Sequence, residues 1–256
     1  LKIEQLITNK TKAIIPVHLG GNICEMNKIK KIAKKYNLII IEDAAHAHGS
    51  TLNGKMAGTF GHIGVFSFYP DKIMASSDGG IVVTNDKKIF EKLLLLRNVG
   101  RKNIGKYDYT EIGYNYRMNE IQAILAQEQL KLLPKMLKRR REIANIYNNE
   151  LKDIPNLHCQ KIVKNVNSAY YSFVMKLTKG NLKKFRKTLK ENGIETSPMF
   201  TTIYKTKIYQ KLSIFSNNCP ISEILDDQTF TIPLHVGITN TEINYIIKTI
   251  KKILDL

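Results

Sequence analysis

Only three cysteines occur in the 256 residues, Cys24, Cys159 and Cys219. They are scattered and odd in number, which argues against a disulfide framework and favours a reducing compartment. There is no CxxC pair, so the spacing of a structural zinc site is missing. No apolar run approaches the roughly 20 residues that a membrane-spanning helix needs. The opening Leu1-Lys2-Ile3-Glu4-Gln5 carries neither a secretory signal pattern nor an initiator Met, and on that ground a fragment of a longer chain is expected. Internal repeats and low-complexity linkers are absent. Carboxylates are scarce, 22 Asp and Glu against 40 Lys and Arg, giving a formal charge of +18. Such an excess can mark a nucleic-acid surface. Here no RNP motif, finger spacing or basic-aromatic cluster accompanies it. Lys28, Lys30, Lys31, Lys34, Lys35, Lys87, Lys88 and Lys92 lie among helical apolar positions and read as solvated helix faces. The expectation is a cytoplasmic protein with neither a nucleic acid nor a membrane as partner, and with a positive field that favours phosphorylated ligands.

Hydrophobic residues make up 43% of the chain, enough for a sizeable core. The first half alternates between strand and helix signals, the signature of an α/β fold. Ala13–Val17 reads as a strand, Met26–Tyr36 as a helix with Ile29, Ile32 and Ala33 on one face, and Leu38–Glu42 as the next strand of a βαβ unit. Asn53-Gly54 is a strong turn signal. Val65–Tyr69 and Ile81–Thr84 read as further strands around a Gly79-Gly80 turn, and Lys87–Arg97 as an amphipathic helix. Asn119–Leu151 is helical in pattern, with Pro134 as a break or kink. Ile121, Ile124, Leu125, Leu130, Leu133 and Leu137 supply its apolar spacing, and Lys138-Arg139-Arg140-Arg141 its wet face. Beyond it the texture is α+β. Ala169–Leu177 reads as a strand, Leu182–Asn192 as a helix closed by Gly193, and Phe230–Leu234 as a short strand. A final helix running to Leu254 is capped by Thr239 or Asn240. Two domains are expected, residues 1–130 and a smaller α+β domain over residues 131–256.

Two strands end in chemistry. Leu38-Ile39-Ile40-Ile41 delivers Glu42-Asp43, and Gly64-Val65-Phe66-Ser67-Phe68-Tyr69 leads into Pro70-Asp71-Lys72. Open α/β sheets place ligand sites at such strand ends. One aspartate and one lysine presented this way suit pyridoxal phosphate (PLP). An amine can form a Schiff base with the aldehyde, and a carboxylate can keep the pyridinium nitrogen protonated. Small residues around Asp43 leave room for a flat ring, although an Asp after a strand commonly caps the next turn. His46 is placed to bond a phenolic oxygen, or is a loop histidine. Ser67 alternates with Phe66 and Phe68 and lies five residues before Lys72, within reach of a phosphate. His46, His48 and His62 have no carboxylate or thiol at recognisable ligand spacing, so no metal is expected.

Taken together, Glu42-Asp43-Ala44-Ala45-His46-Ala47-His48-Gly49, Phe66-Ser67-Phe68-Tyr69-Pro70-Asp71-Lys72 and Gly79-Gly80-Ile81-Val82-Val83-Thr84-Asn85-Asp86 closely resemble the DegT-like nucleotide-sugar aminotransferases, which are fold-type-I PLP enzymes. Leu96–Arg101, Gly113-Tyr114-Asn115-Tyr116-Arg117-Met118 and Thr11–His18 are similar to the family too. The resemblance is strong to about Leu133 and continues more weakly to the C-terminus. It implies an aspartate-aminotransferase-like large domain, truncated at its N-terminus, followed by a smaller C-terminal domain. It implies that Lys72 is the catalytic lysine in Schiff-base linkage, Asp43 the pyridine-nitrogen partner, His46 the ring-oxygen contact and Ser67 a phosphate ligand. Asn115 would reach the phosphate of the partner subunit's site in a homodimer. The implied reaction moves an amino group, with glutamate as donor, to a keto group of a nucleotide-linked deoxysugar. A sugar dehydratase of the same family would carry histidine in place of Lys72; a non-catalytic PLP-fold protein with a regulatory or structural role is the alternative of another class. The chain departs from the family in three places. It lacks the N-terminal phosphate loop and stacking aromatic, it has Ser77-Asp78-Gly79-Gly80 where Gly-Glu-Gly-Gly is usual, and it has Pro198-Met199-Phe200-Thr201 where many relatives place a histidine.

Overall fold

The computed structural model describes residues 2–102, 107–212 and 219–255. The chain forms two compact units, Leu1–Leu137 with Ile162–Tyr171, and Lys138–Lys161 with Ser172–Leu256. The division falls inside a long helix, seven residues beyond the boundary read from the sequence, and returns a ten-residue segment to the first unit.

The first unit is built on a four-stranded sheet in the order β1 (Ala13–Ile14), β2 (Ile39–Asp43), β5 (Ile63–Ser67), β6 (Gly80–Val83). The first three strands run parallel and β6 returns antiparallel to β5. Helix α1 (Met26–Lys35) makes the crossover between β1 and β2. Its Met26, Ile29, Ile32 and Ala33 are buried, as the 3.6-residue spacing requires, and its lysines stay in water. β1 is shorter than expected. Pro16 has no N–H to give a ladder, so pairing stops and resumes only as a bridge between Val17 and Asp43. Between β2 and β5 lies a hairpin, β3 (Thr51–Leu52) and β4 (Lys55–Met56). Its turn residues Asn53 and Gly54 have φ of 51° and 79°, the left-handed pair that an Asn-Gly hairpin turn uses.

One core cluster joins α1 to the sheet through Ile23, Met26, Ile29, Leu38, Ile40 and Phe60. A second joins Phe68, Ile73 and Met74 to Ala126, Leu133 and Leu137 of α3 (Glu120–Leu151). Helix α2 (Lys87–Arg97) starts where expected, capped by the Asp86 carboxylate, but none of its residues is buried. Its Phe90 and Leu94 are exposed, and its other apolar residues are only partly buried. Ile121, Ile124, Leu125 and Leu130 of α3 are exposed too, whereas Leu133 and Leu137 are buried. Pro134 sits inside α3 without ending it. After α3 come β7 (Leu157–Cys159) and β8 (Val166–Asn167), and β8 pairs with β3 of the first unit.

In the second unit β7, β9 (Phe173–Leu177) and β10 (Thr229–Ile232) form an antiparallel sheet with β9 in the middle. α4 (Leu182–Glu191) ends at Asn192 and Gly193, the latter with φ of 75°. Two helices unmarked in the sequence pattern follow, α5 (Lys207–Leu212) and α6 (Pro220–Gln228). α7 (Asn240–Ile253) opens on a reciprocal capping box between Thr239 and Glu242. The basic run of α3 is a wet face at Lys138 but not throughout. Arg140 is buried and donates to the Leu234 carbonyl at 3.0 Å. Arg139 donates to the Ile238 carbonyl at 2.8 Å and to Asn240 at 3.0 Å. These guanidiniums satisfy carbonyls in the loop before α7, a role for fork-shaped donors that charge patterning alone does not reveal.

Candidate active site

The site begins with a buried carboxylate next to a half-buried one. Side chains alternate along β2, so Ile40 and Glu42 face the α1 core while Ile41 and Asp43 face the other way. Glu42 is fully buried, yet it accepts from His18 Nε2 at 2.9 Å and from the N–H groups of Gly58 at 2.9 Å and Gly61 at 2.5 Å. His18 Nδ1 accepts from the Cys24 N–H at 3.3 Å, which assigns the ring proton to Nε2. Burial works to raise the Glu42 carboxyl, but its bonds to His18, Gly61 and Gly58 outweigh it and hold it below the ordinary carboxylate range. This network fixes the end of β2. The Asp43 N–H donates to the Pro16 carbonyl, and the Asp43 carbonyl accepts from the His18 N–H, both at 3.0 Å. Asp43 Oδ1 accepts from the Ala45 N–H at 3.1 Å, so the turn-capping role also holds and leaves Oδ2 for a ligand.

β5 ends on Ser67, two residues earlier than the sequence pattern suggested. Ser67 Oγ accepts from the Tyr69 N–H at 3.3 Å, leaving its hydroxyl hydrogen to donate elsewhere. Asp43 and Ser67 line one cavity of about 450 Å³, together with Ile15, Ile41, Val65 and the Gly79-Gly80 backbone. Glycine is needed at 80, where a Cβ would sit 2.7 Å from the Phe66 carbonyl oxygen.

Lys72 follows in a turn whose N–H bonds the Tyr69 carbonyl at 3.0 Å. Its side chain is 11% exposed, and its Nζ lies 3.0 Å from Asp71 Oδ1. Nζ is also 3.5 Å from the Tyr171 hydroxyl and 4.8 Å from that ring's centroid. The other face of the arrangement is His46, whose ring stacks on Tyr171 with centroids 3.9 Å apart and planes 12° from parallel. The Gly20 N–H points at His46 Nδ1 from 3.5 Å, so Nε2 carries the proton. Burial, followed by the charge of Lys72, pushes His46 down to about 4, against the pull of Asp43 and Asp71. At neutral pH this histidine is therefore an uncharged N–H donor. His48, two residues on, is also pushed down to about 4 by burial. It lies among Phe66, Phe68 and the Ser67 backbone, which pulls weakly the other way, and among the described residues neither ring nitrogen has a partner in good hydrogen-bonding geometry.

The structure thus gathers four of the five residues singled out by sequence. Asp43 and Ser67 share a cavity, and His46 feels the charges of both Asp43 and Lys72. Asn115 stands apart. It is exposed, bridges to Asn98, and no hydrogen bond or ion pair among the described residues joins it to the other four. Tyr171 is the functional neighbour that the sequence reading missed. It is 99 residues from Lys72, with no local pattern to mark it. The His18–Glu42 pair was missed as well; its only signal is a carboxylate inside an apolar strand.

The profile of the DegT/DnrJ/EryC1/StrS aminotransferase family matches residues 1–251. The chain belongs to that family. Among curated members it is 37% identical over 251 residues to the GDP-perosamine synthase of Escherichia coli O157:H7, spanning 98% of this chain and 68% of that protein. It is 36% identical over 254 residues to the dTDP-3-amino-3,6-dideoxy-alpha-D-galactopyranose transaminase of Aneurinibacillus thermoaerophilus, again over 98% and 68%. Among solved members, Helicobacter pylori PseC, an aminotransferase involved in the biosynthesis of pseudoaminic acid, superposes with a TM-score of 0.91 at 29% identity. That match covers 100% of this chain and 70% of PseC. The fold is therefore that of the sugar aminotransferases, as the motifs implied.

Proposed function

We propose that the protein transfers an amino group, with glutamate as donor, to a keto group of a nucleotide-linked deoxysugar, using PLP held in the first compact unit. The reading rests above all on the convergence of Asp43, His46, Ser67 and Lys72 around the carboxyl ends of β2 and β5 in a chain of this family. The donor set fits the cofactor group by group. Asp43 Oδ2 offers a carboxylate to a ring nitrogen, His46 Nε2 an N–H to a ring oxygen, Ser67 a hydroxyl to a phosphate, and Lys72 a primary amine to an aldehyde. A cavity of about 450 Å³ is within the range of small-molecule sites.

When bound, PLP supplies an electron sink for the carbanion next to the amino group. The protein's own part is positional and acid–base. Asp43 keeps the ring nitrogen protonated, with its backbone stapled to Pro16 and His18 and its neighbour Glu42 locked in the core. Lys72 Nζ would take up and return the migrating proton, as general base and then general acid. His46, uncharged, donates one hydrogen bond without adding positive charge beside the lysine.

A homodimer is part of the reading. Asn115 sits in an exposed segment between Tyr114 and Tyr116, followed in sequence by the exposed apolar residues Ile121, Ile124 and Leu125. That combination favours a second copy covering this surface and receiving Asn115. The scattered free cysteines favour the cytoplasm. The sugar nucleotides named for the relatives, GDP- and dTDP-linked, guide the test. The full chain is incubated with PLP, nitrogen-15 glutamate and a panel of GDP- and dTDP-linked 3-keto and 4-keto deoxysugars. Label in an amino-sugar nucleotide by mass spectrometry is the expected result. A chain that binds PLP and labels none of the panel would overturn the reading.

A further inference from the structure

Lys72 holds its amine in an arrangement that the amino-transfer reading does not use. Its Nζ lies 3.0 Å from Asp71 Oδ1, and the second oxygen of that carboxylate is occupied. The Tyr171 hydroxyl donates to Asp71 Oδ2 at 2.9 Å. The pair alone would be unremarked, since neighbouring residues often meet and exposed ion pairs are weak. What changes the reading is the third member. Tyr171 is anchored independently, its ring stacked on His46 at 3.9 Å. Its hydroxyl therefore holds one oxygen of Asp71 and turns the other toward Lys72. The same hydroxyl lies 3.5 Å from Nζ, and the ring face presents its negative quadrupole to the ammonium from 4.8 Å. The lysine is thus approached by a carboxylate, a phenol oxygen and an aromatic face, none of which comes from the Asp43–Ser67 cavity.

We propose that Asp71 and Tyr171 are positioning residues that form a rest for the free amine of Lys72. The rest fixes where the nitrogen waits whenever it is a free amine, bonded only to its own side chain, and it turns His46, through the stacked ring, into part of the same assembly. This rests on the reading of Lys72 as the reactive lysine. A lysine that must be released and recaptured in each half-reaction needs a defined place to stand, because every wrong rotamer lowers the fraction of encounters that are productive. Asp71 is 53% exposed, so the rest holds the amine lightly, as a group that has to leave it should be held.

The test uses the cofactor-free full chain and its Asp71→Asn, Asp71→Glu and Tyr171→Phe variants, each checked for fold by circular dichroism. Limiting acetic anhydride is added, and acetylation of Lys72 is followed by peptide mass spectrometry with the exposed Lys34 as internal standard. A paired ammonium has to leave its partner to react. Asp71→Asn is therefore expected to label Lys72 about threefold faster relative to Lys34, with Tyr171→Phe moving the same way by a smaller factor. Salt at about 1 M shrinks the difference, and Asp71→Glu restores slow labelling. Tyr171→Phe keeps the ring stack, so it separates the hydroxyl's role from simple loosening. Equal Lys72 rates in Asp71→Asn and the parent overturn the proposal, as does an acceleration shared by Lys34. An effect of Asp71→Asn with none of Tyr171→Phe also overturns the two-residue rest. The reading beneath it is tested separately in the unmodified chain. Borohydride trapping of PLP on Lys72 upholds the reading whatever the variants do, and trapping elsewhere removes it while the labelling result stands.

Discussion

Lowering the pH from 8 to 5 should cost the fold about 4 kcal/mol through two histidines alone. His46 and His48 are both buried, and both are pushed down to about 4 from an ordinary value of 6.5. In the unfolded chain they titrate normally. Below pH 6.5 the unfolded state binds protons that the folded state refuses, so stability falls with pH through that window and levels off near pH 4. At pH 5 an unfolded histidine is almost fully charged and a folded one almost neutral. The difference is about 2 kcal/mol for each ring, near the limit of 1.4 kcal/mol per pH unit. Burial is the main cause for both rings, the charge of Lys72 adds to it, and His48 is further disfavoured as a cation by His46. His48→Leu isolates one term. The ring meets the Ser67 backbone but makes no well-formed hydrogen bond among the described residues, so at pH 8 the variant should lie within about 1 kcal/mol of the parent. Between pH 8 and pH 5 it should lose about 2 kcal/mol less than the parent. The chain has no tryptophan, so urea unfolding is best followed by far-ultraviolet circular dichroism at the two pH values. An identical pH-dependent loss in parent and variant would refute the buried, neutral placement of His48.

Other outcomes follow from the site and its supports. Lys72→Ala should keep the fold and lower amino transfer by roughly a hundredfold or more, read as nitrogen-15 incorporation; near-normal turnover removes the lysine from its role. Asp43→Asn should still take up PLP but lose a comparable factor in rate, because an amide cannot favour a protonated ring nitrogen; full activity contradicts the pairing. Glu42→Ala strands buried donors on His18, Gly58 and Gly61 and should cost on the order of 3 kcal/mol in urea unfolding. Gly64→Ala would drive a Cβ into the Gly58 carbonyl oxygen and should cost about 2 kcal/mol or more; an unperturbed midpoint for either variant would show that this loop is not packed as described.

Local signals in the sequence were legible wherever a residue's own chemistry sets its backbone. Asn53-Gly54 makes its hairpin turn because both residues tolerate positive φ. Thr239 and Glu242 cap α7 because their side chains reach each other's N–H groups. The apolar face of α1 is buried because its spacing meets the sheet. What the pattern did not show depends on partners far away in the chain. Arg140 looks like one more solvated cation in a basic run until the Leu234 carbonyl is brought to it. The amphipathic pattern of α2 implies a buried face, yet none of its residues is buried among the described elements. In the site, Asp43, Ser67 and Lys72 were readable because they punctuate apolar strands. Tyr171 was not, since only tertiary folding puts a residue from beyond α3 against His46 and Lys72.

The central claim is that Asp43, His46, Ser67 and Lys72 form one PLP site with Lys72 as its covalent anchor. The direct measurement is sodium borohydride reduction of the PLP-treated full chain, followed by peptide mapping of the stable adduct. The account predicts one phosphopyridoxyl group per chain, on the peptide containing Tyr69-Pro70-Asp71-Lys72, and its loss in Lys72→Ala. An adduct spread over the exposed lysines of α1 and α4, or concentrated on any lysine other than Lys72, would contradict it.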